Sequence, residues 1–332
     1  MSRLLGFGSA LPEHRLTPEE SLAALGRIWP HLRGVTPVPV TRYTVQSLER
    51  VFAPADFGER LRVYAEEAPR LAAQAARSAL AAAGAKADQV DLAISVSCTG
   101  YLVPALEVHL ANELGLPAQA LRIPLTELGC AGGAAALGLA HRCLEGGAQR
   151  LALVVCVELC SLTFQPQDLS LDNLTAAMVF GDGAMAAVIG PGRGGLEILE
   201  TGSHLVPRSQ SLLGFDLRRD GFHPILDRGL PRALAGALPG AVRGFQQGRP
   251  ADFYAVHAGG PRIFSAVESA LELEPEALDH SRQVFATTGN LSSGSLLAVL
   301  AELPPDPPGE GLALAFGPGV AIEMLRLRRS RG

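Results

Sequence analysis

One pattern of strand and helix occurs twice in this chain, and the repeat limits the possible fold more than any other feature. A buried strand is predicted over residues 91–98 and a helix from Cys130, which lies 32 residues after Cys98. A second strand is predicted over residues 252–257 and a helix from Asn290, which lies 33 residues after His257. We therefore expect two copies of one βαβα unit, related by a pseudo-twofold axis that brings Cys130 and Asn290 together.

Hydrophobic periodicity predicts the other elements of an α/β fold. They are helices over 57–83, 104–113, 130–144, 261–271 and 290–303, strands over 120–124, 151–157 and 283–286, and strand hairpins over 176–189 and 312–327. The first 60 residues are predicted to form loops and short helices. Residues 1–190 and 191–332 are expected to form the two halves. The segment of about 193–250 has no evident counterpart in the first half, so we interpret it as an insertion that forms cavity walls.

Three glycine-flanked polar residues point to the chemistry. Cys130 lies in Leu-Gly-Cys-Ala-Gly-Gly, His257 in Ala-Val-His-Ala-Gly-Gly-Pro, and Asn290 in Thr-Gly-Asn-Leu-Ser-Ser. A cysteine at the start of a helix and beside a histidine is predicted to have a lowered pKa and to attack thioesters. The N–H groups of an imidazole and a carboxamide can form an oxyanion hole. None of the three motifs contains a carboxylate base, which favours making a carbon nucleophile by loss of CO2, as in decarboxylative Claisen condensation.

Composition excludes several other classes. The net charge of −5 argues against nucleic-acid binding, and the longest strongly apolar stretch, Leu151–Val157, is too short to span a membrane. The N-terminal residues show no signal peptide, so we expect a cytoplasmic protein. The five cysteines have no metal-binding spacing and are interpreted as free thiols, with no metal site. Most of them would be packing residues in any fold, and Asn290 could serve only as a helix cap.

Together the motifs resemble the type III polyketide synthases, the chalcone-synthase-like branch of the thiolase superfamily. The match runs from about Tyr64 to Leu325. Besides the three motifs above, it includes Phe-Gly-Asp-Gly-Ala at 180–184 and Phe-Gly-Pro-Gly at 316–319, and Val-Ser-Cys-Thr-Gly-Tyr at 96–101 is similar to the bacterial members. The resemblance implies a thiolase-like fold of duplicated units in αβαβα layers.

The resemblance also implies roles for individual residues. Cys130 would take the starter acyl group from a coenzyme A thioester, and His257 and Asn290 would polarise its carbonyl and stabilise the enolate formed from malonyl-CoA. Phe180 and Phe215 would be the two residues that separate the coenzyme A tunnel from the reaction cavity. The residues implied to line that cavity are Cys98, Thr99, Cys160, Thr163 and Ser292. Acyl-CoA and malonyl-CoA would be substrates, with no further cofactor.

The sequence departs from the family pattern at two positions, and several alternative products and functions stay open. Ala258 replaces the proline that usually follows the histidine, and Val103 stands where the family places a side chain across the dimer, so a homodimer is expected. Small cavity residues are compatible with long acyl starters that give alkylpyrones or alkylresorcinols, while tetrahydroxynaphthalene from malonyl units stays open. The alternatives are a ketoacyl synthase that initiates fatty-acid synthesis with acyl carrier protein, a non-catalytic protein of the same fold, and a papain-like hydrolase.

Overall fold

A computed structural model describes residues 2–32, 36–53, 55–147, 150–304 and 309–329. The strands of this part of the chain are β1 (Ser2–Ala10), β2 (His14–Leu16), β3 (Arg42–Thr44), β4 (Leu92–Val96), β5 (Leu121–Leu125), β6 (Ala152–Leu159), β7 (Asp182–Gly190), β8 (Leu196–Leu205), β9 (Leu213–Arg218), β10 (Gly221–Leu226), β11 (Phe253–Val256), β12 (Gly309–Gly317) and β13 (Ala321–Arg329). The α-helices are α1 (Pro18–Ile28), α2 (Leu48–Val51), α3 (Phe57–Ala82), α4 (Leu106–Leu114), α5 (Gly132–Glu145), α6 (Leu171–Val179), α7 (Leu230–Gln246), α8 (Pro261–Leu271), α9 (Asp279–Thr288) and α10 (Ser295–Ala301).

Within the described residues, nine strands form one mixed sheet in the order β11-β12-β13-β8-β1-β7-β6-β4-β5. The first half of the chain supplies β1 and β4 to β7, and the second half supplies β8 and β11 to β13. The halves meet where β1 and β8 pair antiparallel, with Ser2 opposite Ile198. The expected boundary near residue 190 thus falls in the connection from β7 to β8, and the sheet continues across it.

Helices cover the sheet in three layers. Helices α5 and α10 pack against each other and against strands of both halves, so they form the central layer. Helix α3 packs on the outer face of β1, β6 and β7, while α7 contacts α8 and β13 on the other side. Along β6, Val154 and Cys156 face the central core, whereas Leu153, Val155 and Val157 face α3. A strand buried on both faces has the continuous apolar pattern seen at 151–157. The predicted layered αβαβα fold is confirmed.

Three expectations about single elements are wrong. The first 60 residues contain β1 in the middle of the sheet; Gly6 and Gly8 weaken its strand signal, but a Cβ there would lie 2.5 and 2.2 Å from backbone atoms of α3. The hairpin predicted over 176–189 is instead the end of α6 followed by β7. Helix α6 begins after Ser170, whose hydroxyl accepts a hydrogen bond from the backbone N–H of Asn173. Residues 283–286 belong to α9, so β5 has no counterpart in the second half.

The segment of about 193–250 is only partly an insertion. Strand β8 is the counterpart of β1 within the sheet, and α7 covers the second half as α3 covers the first. The extra part is the hairpin β9–β10, in which Phe215 pairs with Pro224. This hairpin carries Phe215, Pro224 and Leu226, which line a pocket beside Cys130.

Candidate active site

Cys130 lies on a tight turn that leads into α5. The turn spans Gly129–Ala131 in 3₁₀ conformation, and Cys130 is 8% exposed. Gly129 has a φ of +50°, and a Cβ on it would lie 2.6 Å from the Pro318 side chain, so a larger residue would be both strained and blocked. The β12–β13 turn of the second half therefore supports the turn that presents the Cys130 thiol.

Asn290 faces this thiol from the equivalent position of the second half. Its Oδ1 accepts hydrogen bonds from the backbone N–H of Ser292 and from the Ser295 hydroxyl, each at 2.8 Å. Cys130 Sγ lies 3.7 Å from Nδ2 and 3.8 Å from Oδ1, and because Oδ1 already accepts these two bonds, Nδ2 is the free donor of the carboxamide at the sulfur. The backbone of Asn290 is also fixed, since its N–H donates to Val179 and its carbonyl accepts from Gly181. The duplication thus brings Cys130 and Asn290 together as predicted.

His257 completes the group at the end of β11. It is 3% exposed, its backbone N–H donates to Leu314, and its ring packs edge-on against Phe316 with centroids 5.3 Å apart. Its Nδ1 is buried and has no hydrogen-bond partner among the described residues. Ala258, which replaces the usual proline, still allows a tight turn, because the N–H of Gly259 donates to the His257 carbonyl at 2.6 Å.

Burial controls the protonation of the cysteine and the histidine. It raises the pKa of Cys130 to about 11, although hydrogen bonds from Ser292 and Asn290 oppose the rise. It lowers the pKa of His257 to about 4. The lowered cysteine pKa expected from the sequence is therefore wrong for the resting site, since removal from water outweighs the helix terminus. A neutral thiol and a neutral imidazole result at neutral pH.

Two cavities meet at Cys130. The outer one, of about 600 Å³, is lined by Cys130, His257 and Asn290 and has Arg228 and Arg262 on its wall. The inner one, of about 70 Å³, is lined mostly by apolar side chains. The residues common to both linings are Cys130, Phe180, Leu213 and Leu226. A group attached to Cys130 can therefore extend into either cavity.

The other residues expected at the site lie on the inner cavity. Its lining includes Cys98, Thr99, Cys160, Thr163, Phe180, Phe215 and Ser292. Phe180 lies between the two cavities and forms a β-bridge with Asn290. Phe215 packs edge-to-face on Phe222, with ring centroids 5.4 Å apart. Sequence reasoning did not single out Phe222, although it follows a glycine in the same hairpin.

A buried carboxylate also lies near the site, although none of the three sequence motifs contains one. Glu158, at the end of β6, is 0% exposed and accepts hydrogen bonds from the Cys98 backbone, the Thr99 hydroxyl and the Ser293 hydroxyl. Burial raises the pKa of Glu158. Both carboxylate oxygens are occupied by these donors, so Glu158 joins β4, β6 and the segment before α10. The only signal in the sequence was one acidic residue in an apolar strand.

Two kinds of feature are absent from the described ranges. No helix there is long and apolar enough to cross a membrane. No cluster of three or more histidine, cysteine or acidic side chains there could hold a metal ion.

Comparison with known proteins agrees with this geometry. The model for the N-terminal domain of chalcone and stilbene synthases matches residues 48–193, and the model for their C-terminal domain matches residues 197–330. The chain is 36% identical to a 1,3,6,8-tetrahydroxynaphthalene synthase of Streptomyces coelicolor, over 98% of this chain and 91% of that protein. It is 32% identical to a phloroglucinol synthase of Pseudomonas fluorescens, over 85% of this chain and 84% of that protein.

A solved structure shows the same relationship. The crystal structure of tetrahydroxynaphthalene synthase from Streptomyces coelicolor, a bacterial type III polyketide synthase, matches with a TM-score of 0.93 and 34% identity, covering 99% of this chain and all of that one. None of these matches supports the alternative of a ketoacyl synthase for fatty-acid synthesis. The chain therefore belongs to the chalcone and stilbene synthase family and is a type III polyketide synthase.

Proposed function

We propose that Cys130 accepts an acyl group from a coenzyme A thioester and holds the chain while malonyl-CoA extends it. The observation that carries this proposal is the position of the Cys130 thiol, which lies at the junction of two cavities and faces the Asn290 amide at 3.7 Å. His257 lines the outer cavity together with both residues. A nucleophile, a proton acceptor and a hydrogen-bond donor thus share one enclosed space.

In the loading step the Cys130 proton passes to His257 as the sulfur attacks the thioester carbonyl. His257 and Asn290 donate hydrogen bonds to the oxyanion, and coenzyme A leaves as a thiol after taking up one proton. Burial makes an isolated Cys130 thiolate and an isolated His257 imidazolium both costly, so in this proposal the two opposite charges form together and stabilise each other. In the extension step malonyl-CoA loses CO2, and the resulting enolate is stabilised by the same two side chains before its carbon attacks the acyl group on Cys130.

We propose that the starter is short and that the product is a phenol built from malonyl units. The inner cavity has a volume of about 70 Å³, so a starter that enters this cavity from Cys130 is short. The similar proteins named for tetrahydroxynaphthalene and phloroglucinol formation support this choice. Cyclisation of a chain of two-carbon units gives such polyhydroxylated rings without any other cofactor.

We propose that Arg228 and Arg262 bind the phosphates of coenzyme A. Both arginines are exposed and lie on the wall of the outer cavity, one just before α7 and the other in the first turn of α8. Neither forms an ion pair with another described residue, so both side chains can turn towards a polyanion. The N-termini of α7 and α8 lie beside them and add a weak attraction for phosphate.

We further propose a cytoplasmic homodimer. Val103 is 99% exposed, and Tyr101, two residues before it, is 42% exposed. Burying Val103 in a second copy would remove its side chain from water. The five cysteines are free thiols, which fits a reducing compartment. Sedimentation of the wild type and of Val103→Glu, which should dissociate, tests the dimer.

The central test is product analysis with malonyl-CoA. We expect the purified protein to convert malonyl-CoA alone into a phenolic polyketide, detected by mass spectrometry, without acyl carrier protein. A panel of acyl-CoA starters of increasing length should show falling incorporation. Strict dependence on acyl carrier protein, or preferred incorporation of long starters, would contradict the proposal.

A further inference from the structure

The inner cavity contains one charged side chain among the described residues that line it. This residue is Arg42, on β3, and it is 6% exposed. The rest of the lining is apolar or carries neutral hydroxyl, thiol and amide groups. A buried guanidinium in such surroundings is costly unless its charge is balanced.

The protein satisfies Arg42 only in part. Its Nη1 donates to the carbonyls of Ala177 and Phe180 at the end of α6. Its Nε is buried and has no hydrogen-bond partner in the part of the chain that the structure describes. A guanidinium has five N–H groups and no acceptor, so further donors can be directed at a ligand.

The acidic neighbour of Arg42 is already engaged. Asp182 accepts hydrogen bonds from the Val45 N–H at 2.8 Å, from the Ser161 N–H at 2.7 Å and from the Ser161 hydroxyl at 2.6 Å. Burial raises the pKa of Asp182 to about 6 and lowers that of Arg42 to about 10. Arg42 thus keeps its positive charge at neutral pH, while the carboxylate beside it is turned towards other donors.

We propose that Arg42 forms an anion-binding subsite for the free carboxylate of an acyl chain held on Cys130. The ligand class is an acyl group with a carboxylate at its far end, of which malonyl is the shortest example. A charge-assisted bond between guanidinium and carboxylate gives the unpartnered Nε an acceptor and adds to the attraction from Asp182, which already offsets part of the buried charge. This inference rests on the proposed loading of Cys130, and it explains how an apolar cavity can accept a charged starter.

A second buried arginine provides a control that distinguishes ligand binding by Arg42 from a purely structural role. Arg60 is 8% exposed and likewise donates to two backbone carbonyls, those of Leu162 and Phe164. It is not among the described residues that line the inner cavity. Arg60→Gln is therefore the matched control for the loss of a buried arginine that supports the same wall.

The experiment measures loading of Cys130 by intact-protein mass spectrometry. The probes are succinyl-CoA and glutaryl-CoA, compared with butyryl-CoA and pentanoyl-CoA of equal chain length. Succinyl and glutaryl groups lack the β-carbonyl that promotes CO2 loss, so each adduct keeps its carboxylate. We expect the wild type to load each charged acyl group at least as fast as its neutral partner, although an apolar cavity alone would reject the charge.

Arg42→Gln should lower the ratio of charged to neutral loading at least tenfold. Arg42→Lys should lower it less, because the charge remains but the forked geometry is lost. Arg60→Gln should leave the ratio unchanged. Equal loss of both probes in Arg42→Gln, or wild-type preference for the neutral probes, would overturn the subsite. If Arg42→Gln does not fold, the ratio of charged to neutral loading in the wild type tests the subsite by itself. If no thioester loads Cys130 at all, the proposed function is refuted instead.

Discussion

The two halves of the molecule begin equivalent helices at the same place but present different chemistry there. The first half supplies the sulfur of Cys130 ahead of α5, and the second supplies the Asn290 amide ahead of α10. After β4, the Thr99 hydroxyl donates a hydrogen bond to Glu158, whereas after β11 the Nδ1 of His257 has no hydrogen-bond partner within the described ranges. Duplication thus provides equivalent positions in the two halves. In the proposed reaction, the first half supplies the nucleophile, and the second half supplies the proton acceptor and the hydrogen-bond donor.

The strongest test of this division is Cys130→Ala. We expect it to abolish acyl loading completely, because no other side chain of the first half takes the same position on the helix turn. Mass spectrometry of the intact protein after incubation with acyl-CoA measures the adduct. Cys143→Ser, which changes a free cysteine near the other end of the same helix, should load normally. An adduct on the Cys130→Ala protein would assign the nucleophile to another residue.

Substitutions of His257 and Asn290 in the second half should lower the reaction rates, because the nucleophile Cys130 is still present. His257→Ala and Asn290→Ala are each expected to slow condensation by about 10² to 10³, the usual cost of losing one oxyanion donor. They should differ in one respect. At pH 7 only His257→Ala should strongly slow alkylation of Cys130 by iodoacetamide, because the proposed mechanism passes the thiol proton to the imidazole as the sulfur attacks.

The controls for these variants separate local from general effects. His109→Gln changes a histidine on α4, away from both cavity linings, and should leave the rates unchanged. Raising the pH should restore alkylation in His257→Ala, since hydroxide then removes the thiol proton. Equal alkylation rates at pH 7 in the two alanine variants would argue against proton transfer to His257.

The site was more predictable from the sequence than the surrounding structure. Cys130, His257 and Asn290 stand out because each follows a β-prone run and adjoins glycine, which a tight strand-to-helix turn requires. Arg42 and Glu158 carry no such pattern, and their meaning depends on neighbours distant in sequence. β1 was missed because its glycines, needed for close contact with α3, weaken the local strand signal. The positions of these residues depend on tertiary packing, and contacts between residues distant in sequence cannot be read from a single sequence.

The contact between the central helices can be tested by stability. Gly133 is where α5 meets the second half, and a Cβ there would lie 2.2 Å from the Ser293 carbonyl oxygen. We expect Gly133→Ala to lower the free energy of unfolding by about 1–3 kcal/mol, as overpacking does. Urea denaturation measures it. Gly138→Ala on the same helix meets only ordinary contact at 3.4 Å from Thr201 and should be neutral or slightly stabilising. Equal effects at both positions would mean that the halves are not tightly packed at Gly133.

The smallest expected effect comes from Ser295, whose hydroxyl holds Asn290 Oδ1 at 2.8 Å. Ser295→Ala removes one of two donors to that oxygen, and the Ser292 N–H remains. A hydrogen bond of this kind contributes about 1 kcal/mol, so we expect kcat to fall roughly fivefold with little change in KM. Thr287→Ala, on an exposed part of α9, is the control. In an Asn290→Ala background the same change should have no further effect on kcat, because the carboxamide that Ser295 orients is already gone. An additive loss there would mean that Ser295 acts independently of Asn290.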